Sequence, residues 1–252
     1  MTLDSRQRFT AAAEDYSRHR PTYPPELVEW IAAETGLPPS AAVADIGCGT
    51  GIAARLFASL GFDVVGVEPN ADMLAHATAA GVRCVQGEAA RTGLPDRSVD
   101  LVIAAQAFHW FDVPAALAEF RRICRPPGWC AAFWNMRSGS PLMDEYESLL
   151  LKTSEDYRKI RQPAHAVSDL RAAPEISGMR FWEFPSGQVL DRDGFFGRVW
   201  SSSFVVHGVA DRDAFNRELA ALFERHQQDG RVDFRYRTVA FLWQLQRPSA
   251  AS

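Results

Sequence analysis

Three closely spaced glycines between two acidic residues are the clearest chemical signal in this sequence. Gly47, Gly49 and Gly51 fall on every second position after an apolar run that contains Asp45. Glycine tolerates a positive φ and has no Cβ, so a ligand can approach such a turn closely. Glu68 follows about twenty residues later, the distance at which α/β nucleotide-binding folds place a ribose-binding carboxylate. The pattern therefore favours a nucleoside ligand over a tight turn that binds nothing.

These residues require two neighbouring parallel strands that end at the same edge of a sheet. Residues 43–46 predict a short buried strand, and a helix follows from Ile52, directly after the glycine turn. Residues 62–68 predict the next strand, with Glu68 at its carboxyl end. A helix at 71–79 and strands at 82–86, 99–104 and 130–134 continue the alternation. Such alternation indicates a parallel sheet that is covered by helices on both faces.

The pattern is looser on both sides of this central stretch. Helices are predicted before and after it at 5–16, 26–35, 142–160, 194–203 and 211–228. Alternating or apolar runs predict strands at 180–184, 232–237 and 238–244. Aromatic residues are frequent in the C-terminal part, and if several of them line a pocket, its ligand is apolar or aromatic.

The central motifs resemble those of a known family. Asp-Ile-Gly-Cys-Gly-Thr-Gly at 45–51 and Val-Gly-Val-Glu-Pro-Asn-Ala-Asp-Met at 65–73 are similar to class I S-adenosylmethionine (AdoMet) methyltransferases. The segment from Tyr16 to Pro24 is similar to that of small-molecule enzymes in this group, the methyltransferase type 11-like proteins. The resemblance is strong from Phe9 to about Asn135. It implies AdoMet as the cofactor and S-adenosylhomocysteine as its product.

The resemblance also implies a domain plan. The expected fold is a Rossmann-like seven-stranded sheet, mostly parallel with the last strand antiparallel, with helices on both faces and a helical cap. Residues 1–40 would form an N-terminal helical cap segment and 41–135 the AdoMet-binding core. Residues 136–247 would complete the sheet and carry the inserted substrate cap, and 248–252 would be a tail.

The family's cofactor residues carry over onto matching positions of this chain. Asp45 is expected at the methionyl end of AdoMet, Glu68 at the ribose, and Glu88 at the adenine amino group. Arg20 is predicted either to pair with the AdoMet carboxylate or to form a surface salt bridge. Met73 is predicted either near the adenine or in the core. The complete expected set is Tyr16, Arg20, Asp45, Gly47, Cys48, Gly49, Gly51, Glu68, Pro69, Met73, Glu88, Ala89, Gln106, Phe108 and Trp110.

His109, just after the fourth strand, is the candidate catalytic residue. The pKa of a free histidine lies near neutrality, so its ring could accept a proton from the acceptor. The alternative is a histidine that stacks or hydrogen-bonds to position the cofactor. The predicted reaction is an in-line transfer of the sulfonium methyl group to a small molecule, in which positioning and exclusion of water supply most of the catalysis.

Other functions are less compatible with the sequence. One alternative is a non-catalytic protein that binds AdoMet or S-adenosylhomocysteine. A less favoured alternative is an NAD(P)-dependent oxidoreductase, because the glycine spacing differs from the Gly-x-Gly-x-x-Gly of those enzymes. The net charge of −4 argues against nucleic acid as a partner. The four cysteines have no zinc-ligand spacing, so no metal and reduced thiols are expected. The chain shows neither a signal peptide nor a membrane span, which predicts a cytoplasmic protein.

Overall fold

The computed structural model describes residues 20–137, 139–159, 163–173 and 176–245. The predicted helix at 5–16, with Tyr16, and the predicted tail at 248–252 lie outside these residues. None of the described helices is long and apolar enough to cross a lipid bilayer.

Seven strands in the described residues form one mixed sheet with the order β3-β2-β1-β4-β5-β7-β6. β1 pairs in parallel with both β2 and β4, and the last strands are antiparallel, which confirms the predicted Rossmann-like fold class. The strands are β1 (Ala42–Ile46), β2 (Asp63–Glu68), β3 (Arg83–Gln86), β4 (Val99–Ala105), β5 (Cys124–Arg137), β6 (Ile176–Asp191) and β7 (Arg231–Leu245).

Helices occupy most of the connections between these strands. A 3-10 turn, Phe108–Trp110, follows β4. The α-helices are α1 (Pro25–Thr35), α2 (Ile52–Ser59), α3 (Ala71–Ala79), α4 (Val113–Ile123), α5 (Pro141–Thr153), α6 (Glu155–Lys159), α7 (Pro163–Ala172), α8 (Arg192–Trp200), α9 (Ser203–Val206) and α10 (Arg212–His226).

The structure differs from the predicted elements in three places after residue 141. The helix predicted at 142–160 is interrupted at Ser154, whose backbone is extended and whose Oγ accepts a hydrogen bond from the Tyr157 N–H. A hydroxyl in this position begins a new helix. The strands predicted at 232–237 and 238–244 are one continuous strand, β7. Helix α7 was not predicted, because it lacks a repeating apolar face. Among residues 167–172 of this helix, Leu170 alone is fully buried.

The chain divides into two compact units. Of the described residues, the large unit comprises 22–134, 163–173, 176–184 and 238–245, and the small unit comprises 20–21, 135–137, 139–159 and 185–237. The large unit has an apolar core that includes Leu27, Phe57 and Phe133. The small unit has its own core around Tyr146 and Phe195.

Candidate functional site

The carboxyl ends of β1, β2 and β4 meet at one edge of the sheet in the large unit. Asp45 is opposite Gly66 on β2 and Ile103 on β4. The backbone N–H of Gly47 donates a hydrogen bond to the carbonyl of Val67, with 2.8 Å between the atoms. The loops that leave these three strands are therefore neighbours, as expected for a ligand site at the switch point of an α/β sheet.

The three glycines of the turn have different roles. All three have a positive φ, between 56° and 77°. A Cβ on Gly47 would lie 2.8 Å from the Cβ of Ala107, and one on Gly51 would lie 2.7 Å from a methyl group of Val82. Nothing lies within 4 Å of the corresponding position on Gly49. Packing thus requires Gly47 and Gly51, whereas Gly49 leaves open space in which a ligand can approach the backbone.

Asp45 is fully buried at the end of β1, and neither of its carboxylate oxygens has a hydrogen-bond partner among the described residues. Burial raises the pKa of Asp45 to about 7, and the charge of Glu68 adds to this rise, although the nearby Ala54 N–H opposes it. Buried polar groups are nearly always paired in folded proteins. The Ala54 N–H affects this carboxylate without meeting hydrogen-bond geometry, so both oxygens can still accept from the donor or cation of a ligand.

Glu68 connects the glycine turn to the beginning of α3. Its Oε2 accepts a hydrogen bond from the Gly49 N–H at 2.9 Å, and its Oε1 accepts one from the Asn70 N–H at 3.0 Å. Burial raises the pKa of Glu68, while these two hydrogen bonds lower it. A carboxylate has about four acceptor positions, so both oxygens retain capacity for the two hydroxyls of a ribose.

Two further residues at this edge were missed by the sequence analysis. Asn70 is the N-cap of α3, and its Oδ1 accepts hydrogen bonds from the N–H groups of Asp72 and Met73. An asparagine directly before a predicted helix was the available signal. The Thr50 hydroxyl is buried in the turn without a hydrogen-bond partner among the described residues. It adds a second unsatisfied group to the site, and no sequence signal identified it.

The residues predicted at the adenine differ in their exposure. Met73 is buried, and its N–H is used by the Asn70 cap. Pro69 is half-buried, and its carbonyl accepts a hydrogen bond from Gln86 Nε2. Glu88 is exposed in a tight turn closed by backbone hydrogen bonds with Arg91, and Ala89 is half-buried in the same turn. The Glu88 carboxylate is therefore accessible to a ligand, whereas Met73 belongs to the packed interior.

The segment after β4 combines backbone strain with aromatic side chains. Gln106 has a φ of 56°, which is uncommon for a residue other than glycine. Such strain often occurs at functional sites. The ring of Phe108 is fully buried against Phe111, Phe120 and Trp243, so it offers no open face to a ligand. Trp110, which is 37% exposed, does offer one.

His109 is buried, and its ring is fixed by an indole. Its Nδ1 accepts a hydrogen bond from Trp134 Nε1, at 3.1 Å, and its ring lies 4.8 Å from that of Trp110. A neutral histidine that accepts at Nδ1 carries its proton on Nε2. The acceptor nitrogen of the neutral ring is then used by Trp134, and Nε2 is a donor rather than a base. This arrangement favours positioning by His109, and proton abstraction through Nε2 would need the other tautomer.

Arg20 and the cysteines complete the predicted set. Arg20 belongs to the small unit, where its Nη2 donates to the Ser201 carbonyl at 3.2 Å. Cys48 and Cys84 are free thiols, and both pack against Gly66. The described residues contain no group of three or more histidine, cysteine or acidic side chains that could hold a metal ion.

The site's unsatisfied groups fit AdoMet. The methionyl ammonium is a donor that matches the two free oxygens of Asp45, and the open side of Gly49 allows close approach. The carboxylate of Glu68 matches the ribose diol. A dinucleotide fits less well, because its pyrophosphate would meet two buried carboxylates that form no ion pair with a described cation.

Comparisons with known proteins agree with this assignment. A family model described as a methyltransferase domain matches residues 44–132. An uncharacterised methyltransferase of Schizosaccharomyces pombe is 27% identical over 246 residues, covering 92% of this chain and 95% of that protein. One from Mycobacterium bovis is 41% identical over 132 residues, which is 51% of this chain and 52% of its own length.

A solved structure shows the same similarity over nearly the whole chain. A protein described as a type II methyltransferase from Anaeromyxobacter dehalogenans aligns with a TM-score of 0.68 and 27% identity, covering 90% of this chain and 97% of that one. With the sheet order and the motifs at the carboxyl ends of β1 and β2, these similarities identify the family and the cofactor. The chain belongs to the class I AdoMet-dependent methyltransferases.

Proposed function

We propose that this methyltransferase acts on a small-molecule acceptor, and that Asp45, Glu68 and Gly49 hold its cofactor. The observation that carries the residue roles is the pair of unpartnered oxygens on Asp45, fully buried next to the glycine turn. A ligand with a positively charged ammonium and sulfonium satisfies such a carboxylate and lowers the cost of its burial. AdoMet supplies the electrophilic methyl group when it is bound.

The protein's contribution is positioning. Glu68 orients the ribose through its carboxylate, while the Gly49 and Asn70 N–H groups keep that carboxylate in place. Trp110 provides an exposed ring face beside His109. Because the sulfonium is already a good leaving group, fixed geometry and exclusion of water account for most of the expected rate.

The first test is calorimetric titration with S-adenosylhomocysteine, with NAD and NADP as parallel ligands. We expect S-adenosylhomocysteine alone to bind. The Glu68→Gln variant should weaken that binding by about tenfold to a hundredfold, because it loses a charged acceptor for the ribose hydroxyls. Asp63→Asn is the matched control, since Asp63 lies at the other end of β2 in an exposed ion pair with Arg83. Equal affinities of the two variants would remove Glu68 from the site.

A second test separates catalysis from binding alone. AdoMet is incubated with a panel of small acceptors, and formation of S-adenosylhomocysteine is measured. We expect His109→Ala to lower turnover while leaving S-adenosylhomocysteine affinity within about twofold if the ring serves the acceptor. A fall in affinity would assign His109 to the cofactor instead. Tight binding without turnover of any acceptor would favour the non-catalytic alternative.

A further inference from the structure

Cys48 and Cys84 approach each other across strand β2. The Cys48 N–H donates to the Val67 carbonyl at 3.2 Å, so the glycine turn lies beside this strand. Cys84, on β3, is opposite Gly66 in the parallel pairing of β2 with β3. Both cysteines belong to the large unit, and both are free thiols. The turn after β1 and the strand β3 therefore place one cysteine on each side of β2.

Gly66 leaves the space that the two sulfurs share. A Cβ on Gly66 would lie 2.6 Å from the Cys48 Sγ and 3.3 Å from the Cys84 Sγ. The φ of Gly66 is not positive, so the backbone alone does not require glycine at this position. Glycine inside a strand weakens the strand and often marks a place where another group approaches closely. Here the approaching groups are two thiols, and a larger residue at position 66 would separate them.

The pair combines an accessible thiol with a shielded one. Cys84 is half-buried, and a hydrogen bond from Cys48 lowers the pKa of its thiol to about 7, with a hydrogen bond from Thr78 acting in the same direction and burial opposing both. Cys48 is buried, and its pKa is raised by its hydrogen bond with Cys84 and by burial. The thiolate is the nucleophilic form of cysteine, and an accessible thiolate beside a second cysteine is typical of redox sensors.

A second pair of cysteines in the large unit provides a comparison. Cys124 and Cys130 also interact with each other, but both are buried. Burial and the hydrogen bond with Cys124 raise the pKa of Cys130 well above its usual value. This pair therefore has contact without access to solvent. Among the four cysteines, contact occurs together with exposure and a lowered pKa at Cys48 and Cys84 alone.

We propose that Cys48 and Cys84 form a reversible disulfide that switches off AdoMet binding under oxidising conditions. The two cysteines are thus a modification site, and the modifying reagent is a hydroperoxide. The effect on the cofactor rests on the role proposed above for the glycine turn, whereas formation of the disulfide does not depend on that role.

The atoms and electrons balance with hydrogen peroxide as the oxidant. The Cys84 thiolate attacks one peroxide oxygen, the O–O bond breaks, and the other oxygen leaves and takes up a proton to form water. Cys84 then carries a sulfenic acid. The Cys48 sulfur attacks the sulfur of this group, the S–O bond breaks, and hydroxide leaves with the Cys48 proton as a second water. The two thiols lose two electrons and the peroxide gains them, and a dithiol reductant reverses the change.

Closing the disulfide displaces the glycine turn, β3 or both. Two free thiols come no closer than about 3.5 Å, whereas a disulfide joins its sulfurs at about 2.0 Å. Cys48 lies between Gly47 and Gly49, and the Gly49 N–H donates to Glu68 Oε2 at 2.9 Å. A shift of the turn therefore changes both the open side of Gly49 and the support of the Glu68 carboxylate. Displacements of about 1 Å are enough to weaken a positioned ligand strongly.

Formation of the disulfide is tested without activity. The dilute protein is treated with hydrogen peroxide at neutral pH, and its unreduced tryptic peptides are identified by mass spectrometry. Trypsin separates Cys48 from Cys84, whereas the other two cysteines stay together in residues 123–137, because trypsin does not cleave before Pro126. We expect a cross-link between the peptides of Cys48 and Cys84 within one chain. Absence of this cross-link, or its formation only between two chains, would overturn the proposal.

Calorimetric titration with S-adenosylhomocysteine measures the effect on the cofactor. We expect the oxidised protein to bind at least about tenfold more weakly than the reduced one, and a dithiol reductant to restore the affinity. Cys84→Ala and Cys84→Ser should keep their affinity after peroxide treatment, because Cys48 then has no partner. Cys130→Ala is the matched control, since it removes a buried thiol from the other pair and should lose affinity on oxidation as the parent protein does.

The outcomes separate the switch from the proposed function. Unchanged affinity of the disulfide-bonded parent protein would overturn the switch, and so would an equal loss of affinity in oxidised Cys84→Ala and Cys84→Ser. Failure of the reduced parent protein to bind S-adenosylhomocysteine would instead break the proposed role of the glycine turn and the cofactor part of this proposal with it. The cross-link between Cys48 and Cys84 would still be decided by mass spectrometry.

Discussion

The chain contains two buried polar centres of opposite charge. In the large unit, Asp45 and Glu68 lie at the carboxyl ends of β1 and β2. In the described part of the chain, no donor meets hydrogen-bond geometry at Asp45, and the donors at Glu68 are backbone N–H groups. In the small unit, Arg198 is buried among hydroxyls and aromatic rings. Each centre lacks part of its counter-charge among the described residues. The first therefore suits a cationic ligand, whereas the guanidinium of the second is hydrogen-bonded to neutral hydroxyl groups.

The acidic centre also responds to pH. The pKa of Asp45 is raised to about 7, so this centre titrates in the neutral range. A change from pH 5 to pH 8 should therefore change the protonation of Asp45 and with it the charge of this centre.

The largest expected effect is on the pH dependence of stability. Because the folded pKa of Asp45 lies above its unfolded value of 3.8, the native state holds the proton more tightly, and stability falls as pH rises from about 4 to 7. The unfolding free energy that depends on Asp45 should fall by about 3 kcal/mol between pH 5 and pH 8. Urea unfolding of the parent protein and of Asp45→Asn, each at pH 5 and pH 8, gives the change in unfolding free energy with pH. The difference between the two proteins in this change is the part that depends on Asp45.

The exposed Asp63 supplies the control for this measurement. Asp63→Asn should keep the full pH dependence of the parent protein, because an exposed ion pair such as that with Arg83 contributes little to stability. Identical slopes for Asp45→Asn and the parent protein would show that Asp45 has a partner that satisfies it. The acidic centre would then not contain an unsatisfied carboxylate.

A smaller effect should separate ligand contact from backbone strain. Gly49→Ala and Gly36→Ala both place a Cβ at a positive φ with nothing within 4 Å. Each should cost about 1–2 kcal/mol of stability. Only Gly49→Ala should also weaken S-adenosylhomocysteine, by roughly tenfold, because its methyl group occupies the open side of the turn. Thermal unfolding and calorimetry of both variants decide whether that open side is a binding surface.

The smallest effect concerns the ring of His109. Trp134→Phe removes the indole N–H that donates to Nδ1 while keeping a buried aromatic side chain. Loss of one hydrogen bond changes a rate or equilibrium constant by about threefold to tenfold. We expect a decrease of this size in the turnover of Trp134→Phe. An increase in turnover would instead indicate that the freed tautomer acts as a base. Steady-state kinetics with AdoMet distinguishes these results.

The two centres were not equally predictable from the sequence. The acidic centre lies within the contiguous stretch from Asp45 to Asn70, where strand, turn and helix patterns follow one another along the chain. Helix α3 has the predicted limits, because the Asn70 cap and the residues after it give a local signal. Local patterns of this kind can be read without knowing the fold.

Three arginines of the small unit gave no such signal. They lie at positions 20, 137 and 198, and no sequence spacing connects them. Each arginine alone resembles a solvated surface residue, which is the usual place for this side chain. The burial of Arg198 depends on tertiary packing against Phe234 and Tyr236, and only the structure reveals it. The break at Ser154 was missed for a similar reason, since its hydroxyl also contacts the Phe204 carbonyl from another helix.

The packing at Gly66 has an evolutionary consequence. A Cβ on Gly66 would lie 2.6 Å from the Cys48 sulfur and 3.3 Å from the Cys84 sulfur. Even alanine at position 66 therefore requires a smaller or displaced side chain at position 48. We therefore expect the two positions to be epistatic, because a larger residue at position 66 depends on a smaller or displaced side chain in the glycine turn.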